Sequence, residues 1–248
     1  MPDYDDVTIT TPDNVKIKGY LIRKRQKAAA TSVDILEASS DIRRRQQDAA
    51  KGPVAGYTLL YCHANAGNMH EPPLILRLLQ KAALDYITSH PDLKDTRIVV
   101  YGQSIGGAVA VALTAANQDR IHALIVENTF TSLRKLIPHV MPYLKWVSPL
   151  CHQIWDTESA IQRVTKLPIL LLSGGRDELI PPAQMASLCR TARAARRGSS
   201  YVADVDEGVE VEKDAEGVRF VVFPNGTHNE TCIHEGYFDE VKRFWNEI

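Results

Sequence analysis

A serine lies between two glycines in the stretch Gly102-Gln103-Ser104-Ile105-Gly106, which follows a β-rich apolar run and precedes an alanine-rich helical stretch. At a sharp strand-to-helix turn a serine must adopt strained backbone angles, and the two glycines remove side chains that would collide with the neighbouring strand and helix. Such a turn lifts the hydroxyl above the sheet edge. It also directs the backbone N–H of Ile105, with the helix N-terminus, at an oxyanion forming on an attacked carbonyl. This order of elements predicts that Ser104 is a nucleophile.

A serine hydroxyl is a poor nucleophile near neutrality, so this chemistry requires a histidine base and an acid that orients the imidazole. Asp177 and Glu178 follow one buried apolar run, and His228 follows the last such run. Asp177 is the predicted acid and Glu178 the alternative. The order Ser104, Asp177, His228 is that of one hydrolase architecture and differs from two other triad families.

Each of these residues also has a simpler interpretation. Asp177 could cap the helix that begins near Pro181, and loop histidines are often exposed without any role. The placement of both residues after successive predicted strands favours the catalytic interpretation.

A loop of small residues follows the first buried run at His63 and includes Asn65. The backbone N–H of Asn65, together with that of Ile105, would complete an oxyanion hole. The alternative is an ordinary strand-to-helix turn.

Short apolar runs between helical patterns must position these loops, and such runs indicate parallel strands buried on both faces. They are Tyr57 to Cys62, Arg97 to Tyr101, Ala123 to Glu127, Leu167 to Leu172 and Val218 to Phe223. Val7 to Lys24 predicts an antiparallel hairpin around Pro12-Asp13-Asn14. Helical stripes are formed by Leu74, Ile75, Leu78, Leu79, Ala82, Ala83, Tyr86 and Ile87, and by Phe238, Val241, Phe244, Trp245 and Ile248. The predicted fold class is α/β.

Composition excludes several classes of protein. The 248 residues are 44% hydrophobic and 24% charged, with a net charge of −1, which argues against a nucleic-acid binder. The four cysteines follow no metal-ligand spacing, so a zinc site is not expected, and the predicted triad chemistry implies neither a metal nor an organic cofactor. No apolar run approaches the roughly 20 residues that span a bilayer, and the acidic N-terminus is unlike a signal peptide. A cytoplasmic location is expected.

The simplest domain organisation is a single domain over residues 1–248, with surface insertions at about 26–52 and 190–217 and a cap at about 128–164. The apolar residues of the cap are Phe130, Ile137, Met141, Tyr143, Leu144, Trp146, Leu150 and Trp155. They could line an acyl-binding pocket, or they could simply pack the cap onto the domain.

Four segments resemble the α/β-hydrolase superfamily, and more narrowly the fungal Bem (bud emergence) type hydrolases and related abhydrolase-domain proteins. They are His63–Asn68, Gly102–Gly107, Ser173–Pro182 and Gly226–Asn229. The resemblance implies a mostly parallel sheet with helices on both faces, a small helical cap, and a serine hydrolase of esters or thioesters with small-molecule or acyl-protein substrates. It also implies peripheral membrane contact, because relatives carry a hydrophobic anchor. Ala64 stands where the family usually has glycine.

One central strand of the family pattern is missing between His63 and Thr96, where a single helical stripe replaces a helix, a strand and a second helix. The opening hairpin must then either pair with the Tyr57 strand or leave an unpaired edge. The alternative function is therefore a non-catalytic interaction protein that keeps the hydrolase sheet.

Overall fold

The computed structural model describes residues 4–10, 14, 16–22, 56–62, 73–140, 143, 155–198 and 214–248. The chain divides into two compact units, one of residues 1–58 and 82–96, the other of residues 59–81 and 97–248. The predicted insertion at 26–52, most of the second insertion and the loop that contains Asn65 lie outside the described residues. The single-domain organisation stays a prediction.

The first unit contains the predicted hairpin. Strands β1 (Tyr4–Thr10) and β2 (Lys16–Ile22) pair antiparallel, from Tyr4 opposite Ile22 to Thr10 opposite Lys16. Asn14 in the connection has φ 66°, a left-handed conformation that asparagine tolerates better than most residues. Strand β3 (Tyr57–Cys62) and helix α1 (Pro73–Ser89) contribute residues to both units.

The second unit alternates strands and helices. In chain order they are β4 (Arg97–Gln103), α2 (Ile105–Ala116), β5 (Ala123–Glu127), α3 (Leu133–Val140), α4 (Thr157–Ile161), β6 (Ile169–Gly174), α5 (Pro182–Arg196), β7 (Asp214–Ala215), β8 (Val218–Phe223), a 3₁₀ turn (Thr231–Ile233) and α6 (Tyr237–Glu247). The strand order is β3-β4-β5-β6-β8-β7. Pairing is parallel from β4 through β5 and β6 to β8, and β7 is antiparallel to β8. The predicted α/β-hydrolase fold is confirmed.

Strands β5 and β6 form the centre of this sheet, and every residue in both is buried. This agrees with their continuous apolar sequences, which are typical of parallel strands covered on both faces. Helix α2 is also largely buried and is rich in glycine and alanine, small residues that allow a helix to approach a sheet closely. The sheet is therefore a rigid base for the loops at its carboxyl edge.

The interval between β3 and β4 contains the predicted single helix, α1, within the described residues. Strand β3 ends the strand order on that side, with β4 as its hydrogen-bonded neighbour among the described strands, while β1 and β2 pair with each other. Whether the hairpin pairs with the Tyr57 strand or leaves an unpaired edge stays a prediction.

One detail of the sequence prediction needs correction. Phe238 is expected to pack inward, but it is 70% exposed, whereas Tyr237 is 3% exposed. The inward stripe runs through Tyr237, Val241 and Phe244, and Phe238 lies about 100° further around the helix. Helix α5 continues to Arg196, and the bounds of the second insertion stay a prediction.

Candidate active site

Ser104 occupies the turn between β4 and α2 with φ 56° and ψ −128°. A left-handed φ at a residue other than glycine costs on the order of 1–3 kcal/mol, so surrounding contacts must maintain it. The Ser104 N–H donates to the carbonyl of Glu127 at 3.0 Å, and the Ser104 carbonyl accepts from the N–H of Gly107 at 2.9 Å and from Thr129 Oγ1 at 2.6 Å. Hydrogen bonds on both sides of the serine thus hold the strained turn.

The glycine before the serine has the steric role that the motif predicts. A Cβ on Gly102 would meet the backbone carbonyl group of Gly106, with the carbonyl carbon at 2.6 Å, and the Cβ of Ala110 at 2.8 Å. Real Cβ atoms do not approach backbone so closely, so strand β4 and helix α2 can meet at this angle only if residue 102 is glycine.

The structure brings together the three side chains proposed from sequence. His228 Nε2 lies 3.0 Å from Ser104 Oγ, and His228 Nδ1 lies 2.8 Å from Asp177 Oδ2. The Asp177 and His228 side chains are only 1% and 6% exposed. The arrangement allows a proton to pass from the serine hydroxyl to the imidazole while a buried carboxyl group fixes the ring.

The two carboxyl groups proposed as the acid have different partners. The second oxygen of Asp177 accepts the N–H groups of Leu179 at 2.9 Å and Ile180 at 2.7 Å. Asp177 therefore contacts the imidazole and the loop that leads into α5, but its carboxylate accepts N–H groups that precede the helix, so it does not act as the cap of α5. Glu178 is exposed and accepts the backbone N–H of His228 at 3.2 Å. Hydrogen bonds from backbone N–H groups, its own and that of His228, lower the pKa of Glu178.

The two N–H groups proposed for an oxyanion hole differ in how far the structure describes them. Ile105 is the first residue of α2, and N–H groups in the first turn of a helix lack acceptors within the helix. Asn65 lies outside the described residues, so its part in the site stays a prediction.

Sequence reasoning missed two side-chain amides that hold the backbone of His228. The His228 carbonyl accepts from Gln103 Nε2 at 3.2 Å and from Asn128 Nδ2 at 3.0 Å. The available signal was position, since Asn128 directly follows buried strand β5, in a loop at the carboxyl edge like those of Asp177 and His228. It was instead assigned to the start of the cap.

Sequence reasoning also missed a buried carboxyl group, that of Glu127 at the end of β5. The hydroxyls of Tyr101 and Tyr237 donate to Glu127 Oε2, the latter at 2.6 Å, while Oε1 has no hydrogen-bond partner in the described part of the chain. Burial raises the pKa of Glu127, although the two tyrosine hydroxyls and the charge of His228 oppose the shift. The pKa values of Tyr101 and Tyr237 are raised as well, mainly by burial and then by the charge of Glu127.

An apolar cluster packs beside the nucleophile turn. Its buried members are Ala108, Phe130, Leu136 and Ile180, with Ile105, Leu133 and Trp155 packed against them. Phe130 and Trp155 of the predicted cap therefore have a packing role. Ile137 is half-buried and Tyr143 is exposed, while Met141, Leu144, Trp146 and Leu150 lie outside the described residues.

The described residues contain neither a candidate metal-binding cluster nor a candidate membrane-spanning helix. No group of three or more histidine, cysteine, aspartate or glutamate side chains there could hold a metal ion. No helix within those ranges is both long enough and apolar enough to cross a bilayer.

Comparisons with known proteins indicate the family of this chain. Residues 80–234 match the model of the prolyl oligopeptidase family. Protein bem46 of Schizosaccharomyces pombe is 36% identical over 266 residues, which cover 94% of this chain and 78% of that protein. An uncharacterized membrane protein of Saccharomyces cerevisiae is 27% identical over 252 residues, covering 97% and 79% of the two chains.

Among solved structures, the esterase Pf2001 of Pyrococcus furiosus superposes with a TM-score of 0.64 at 16% identity, covering 99% of this chain and 91% of that one. At this identity the likeness bears on the fold alone. The resemblance read from the four sequence segments is confirmed by the family match and by the bem46 alignment. This chain belongs to the α/β-hydrolase superfamily, in which it matches the prolyl oligopeptidase family and is a homologue of bem46.

Proposed function

We propose that this protein is a serine hydrolase that cleaves carboxylic esters or thioesters, with Ser104 as nucleophile, His228 as base and Asp177 as the residue that orients His228. The observation that carries the proposal is the unbroken series of contacts from Ser104 Oγ through both imidazole nitrogens to Asp177, at 3.0 Å and 2.8 Å. Such a series is the arrangement by which a serine is activated near neutral pH.

In the proposed reaction, Ser104 Oγ attacks the substrate carbonyl carbon as its proton moves to His228 Nε2. The resulting oxyanion accepts hydrogen bonds from the backbone N–H groups of Ile105 and Asn65. The imidazolium then protonates the leaving alcohol or thiol, and an acyl group remains on Ser104. Water, deprotonated by His228, attacks this acyl-enzyme; the imidazolium then returns its proton to Ser104 Oγ as the acid leaves, which regenerates the enzyme. No step requires a metal or an organic cofactor.

An acyl chain is the substrate group that the surroundings of Ser104 favour. The buried cluster of Phe130, Leu136 and Ile180 packs against Ile105, the neighbour of the nucleophile. Ile105 itself is only half-buried, so it would offer a hydrocarbon chain an apolar contact beside the reacting carbonyl, which favours hydrocarbon over sugar or charged groups. A lipid ester or an acyl-protein thioester of the palmitoyl type has this character.

Labelling with a fluorophosphonate tests the proposal, because this reagent reacts covalently with activated serines. We expect the wild-type protein to be labelled and Ser104→Ala not to be. Ser173→Ala is the matched control, since Ser173 is buried and its Oγ has no hydrogen-bond partner among the described residues. It should label like wild type. A well-folded wild-type protein that does not react would overturn the proposal and favour the non-catalytic interaction protein.

Peptide hydrolysis is the second candidate, and the match to the prolyl oligopeptidase family favours it. Esters and amides share the nucleophile and base, but an amide needs fuller protonation of its leaving nitrogen by the imidazolium. Hydrolysis of a p-nitrophenyl acyl ester compared with a prolyl p-nitroanilide separates the two. We expect the ester to be the better substrate, and a higher kcat/KM for the anilide would replace the proposed substrate class.

A further inference from the structure

The backbone of His228 is held from both sides by side chains at the ends of neighbouring strands. Its carbonyl accepts two amide donors, from Gln103 at the end of β4 and from Asn128 after β5. Its N–H donates to Glu178, which follows Asp177 in the loop after β6. Each of these contacts comes from a different strand end.

We propose that Asn128 is a positioning residue for His228, whose side chain ties the histidine loop to the strand that leads to Asp177. The proposal rests on the function proposed above. In it, Asn128 touches neither substrate nor reacting atoms and acts only by fixing where His228 lies between Ser104 and Asp177.

The amide of Asn128 uses both of its ends. Its Oδ1 accepts the backbone N–H of Gly174, the last residue of β6, at 2.7 Å. Its Nδ2 lies 3.0 Å from the carbonyl of His228, 2.9 Å from Thr231 Oγ1 and 3.3 Å from the carbonyl of Thr227. Thr231 Oγ1 itself donates to the carbonyl of Thr227 at 2.7 Å. One side chain therefore links the acid-bearing strand to both ends of the histidine loop.

These contacts require an asparagine rather than another residue of similar size. Asn128 is 1% exposed, so every polar group that it leaves unpaired would be buried. An aspartate would place a second acceptor oxygen against the His228 carbonyl. A leucine would leave both that carbonyl and the N–H of Gly174 without this partner. The backbone at Asn128 has φ 44°, a left-handed value at which asparagine is among the least strained residues.

The hydrogen bonds to the His228 backbone affect the proposed reaction because they set the position of the imidazole relative to Ser104. The distance from His228 Nε2 to Ser104 Oγ is 3.0 Å, and a misplacement of about 1 Å at a reacting pair can cost about 100-fold in rate. Hydrogen bonds from Asn128 and Gln103 to the His228 carbonyl, and from the His228 N–H to Glu178, hold the peptide groups on either side of His228 in position. The imidazole then needs only its Asp177 contact to fix the ring.

The test compares Asn128→Asp with Asn117→Asp in the full chain. Asn117 is half-buried, and its Nδ2 makes a single hydrogen bond, to the carbonyl of Leu113 at the end of α2. The measurements are kcat and KM for a p-nitrophenyl acyl ester, with active sites counted by fluorophosphonate titration. We expect Asn128→Asp to lower kcat per titrated site about 10- to 100-fold with KM changed by less than about threefold. Asn117→Asp should stay within about threefold of wild type.

Counting active sites separates positioning from folding. A residue needed only for stability would reduce the number of reactive sites and leave the rate at each one unchanged, and that result overturns the proposal. If Asn128→Asp lacks the native circular dichroism spectrum, Asn128→Ser replaces it, because a serine hydroxyl is neutral and can still donate one hydrogen bond. Loss of fold in both variants also contradicts the proposal. If the wild-type protein does not react at all, the proposed function itself fails.

Discussion

Two neighbouring strands, β5 and β6, are each associated with a buried carboxyl group at the same edge of the sheet, and the two groups have different surroundings. Asp177, after β6, is contacted by the imidazole of His228 and by two backbone N–H groups, which engage both of its oxygens. Glu127, at the end of β5, receives two tyrosine hydroxyls on one oxygen, while the other has no partner among the described residues.

Burial alone does not decide what a carboxyl group does. Donors on both oxygens and a direct contact with the imidazole suit Asp177 to hold the ring of His228 in place. Glu127 has a raised pKa because it is desolvated with less compensation. It packs behind the nucleophile turn, where its main-chain carbonyl accepts the N–H of Ser104.

The largest expected effect is on catalysis at Asp177. Asp177→Asn keeps the shape of the side chain but destroys its ability to fix the productive imidazole tautomer. We expect kcat for an ester substrate to fall about 10⁴-fold. Glu127→Gln, the matched change at the other strand, should alter kcat by less than about threefold. Equal losses in the two variants would erase the distinction between the two carboxyl groups.

The next effect concerns the close approach that brings the Asp177 and His228 loops together. A Cβ on Gly174 would lie 2.5 Å from Thr231 Oγ1 and 2.6 Å from the carbonyl oxygen of Gly226. Gly174→Ala should therefore lower the free energy of unfolding by about 2 kcal/mol in urea denaturation. Gly56→Ala is the control, because a Cβ there meets nothing within 4 Å. If Gly174→Ala leaves the free energy of unfolding unchanged, the end of β6 tolerates separation from the histidine loop.

A smaller effect is expected on how stability changes with pH through Glu127. Below its ordinary pKa of 4.5 this group is neutral in both states. As the pH rises above that value, the unfolded chain ionises while the folded protein, with its raised pKa, does not, so this group's contribution to stability is lost until the folded pKa is passed.

Glu127→Gln removes this loss. Relative to wild type, the variant should become more stable as the pH is raised from about 5 to about 8, because glutamine does not ionise in either state. Urea denaturation of both proteins at the two pH values measures the difference, because all other groups cancel. If the difference in free energy of unfolding between the variant and wild type does not grow with pH, the pKa of Glu127 is not raised in the folded protein.

The smallest effect is expected at Glu178, the exposed carboxyl group beside Asp177. Among the described residues its carboxylate accepts the backbone N–H of His228, at 3.2 Å, and its lowered pKa comes from backbone hydrogen bonds. Glu178→Ala should reduce kcat/KM for an ester by less than about threefold. A loss approaching that of Asp177→Asn would assign the orienting role to Glu178, the alternative acid that the sequence offered.

Local sequence patterns were enough to predict the strands and the loops at their carboxyl ends. The bounds of β3, β5 and β8 agree with the apolar runs, because each run is flanked by polar or turn residues. The positions of Ser104, Asp177 and His228 follow from the same rule, since each comes just after a strand in one sheet.

Contacts between distant parts of the chain were beyond that reasoning. Tyr237 meets Glu127 across 110 positions of sequence, and nothing local to either residue indicates the other. The same holds for Asn128 and His228, which are 100 positions apart. Phe238 is placed on the wrong helix face for a different reason. Tyr237 and Phe238 are adjacent aromatic residues, and the helical period alone does not decide which of them faces inward.

Tyr101 and Tyr237 also give the protein an absorbance signal by which the packing around them can be followed. A phenol in water ionises near pH 10 and its absorbance then shifts to longer wavelength. Tyr101 and Tyr237 resist this change because their pKa values are raised in the folded chain. In an alkaline titration, the last tyrosinate absorbance should develop only when the packing behind the nucleophile turn opens, so spectrophotometry alone, without label or substrate, would report the integrity of that region.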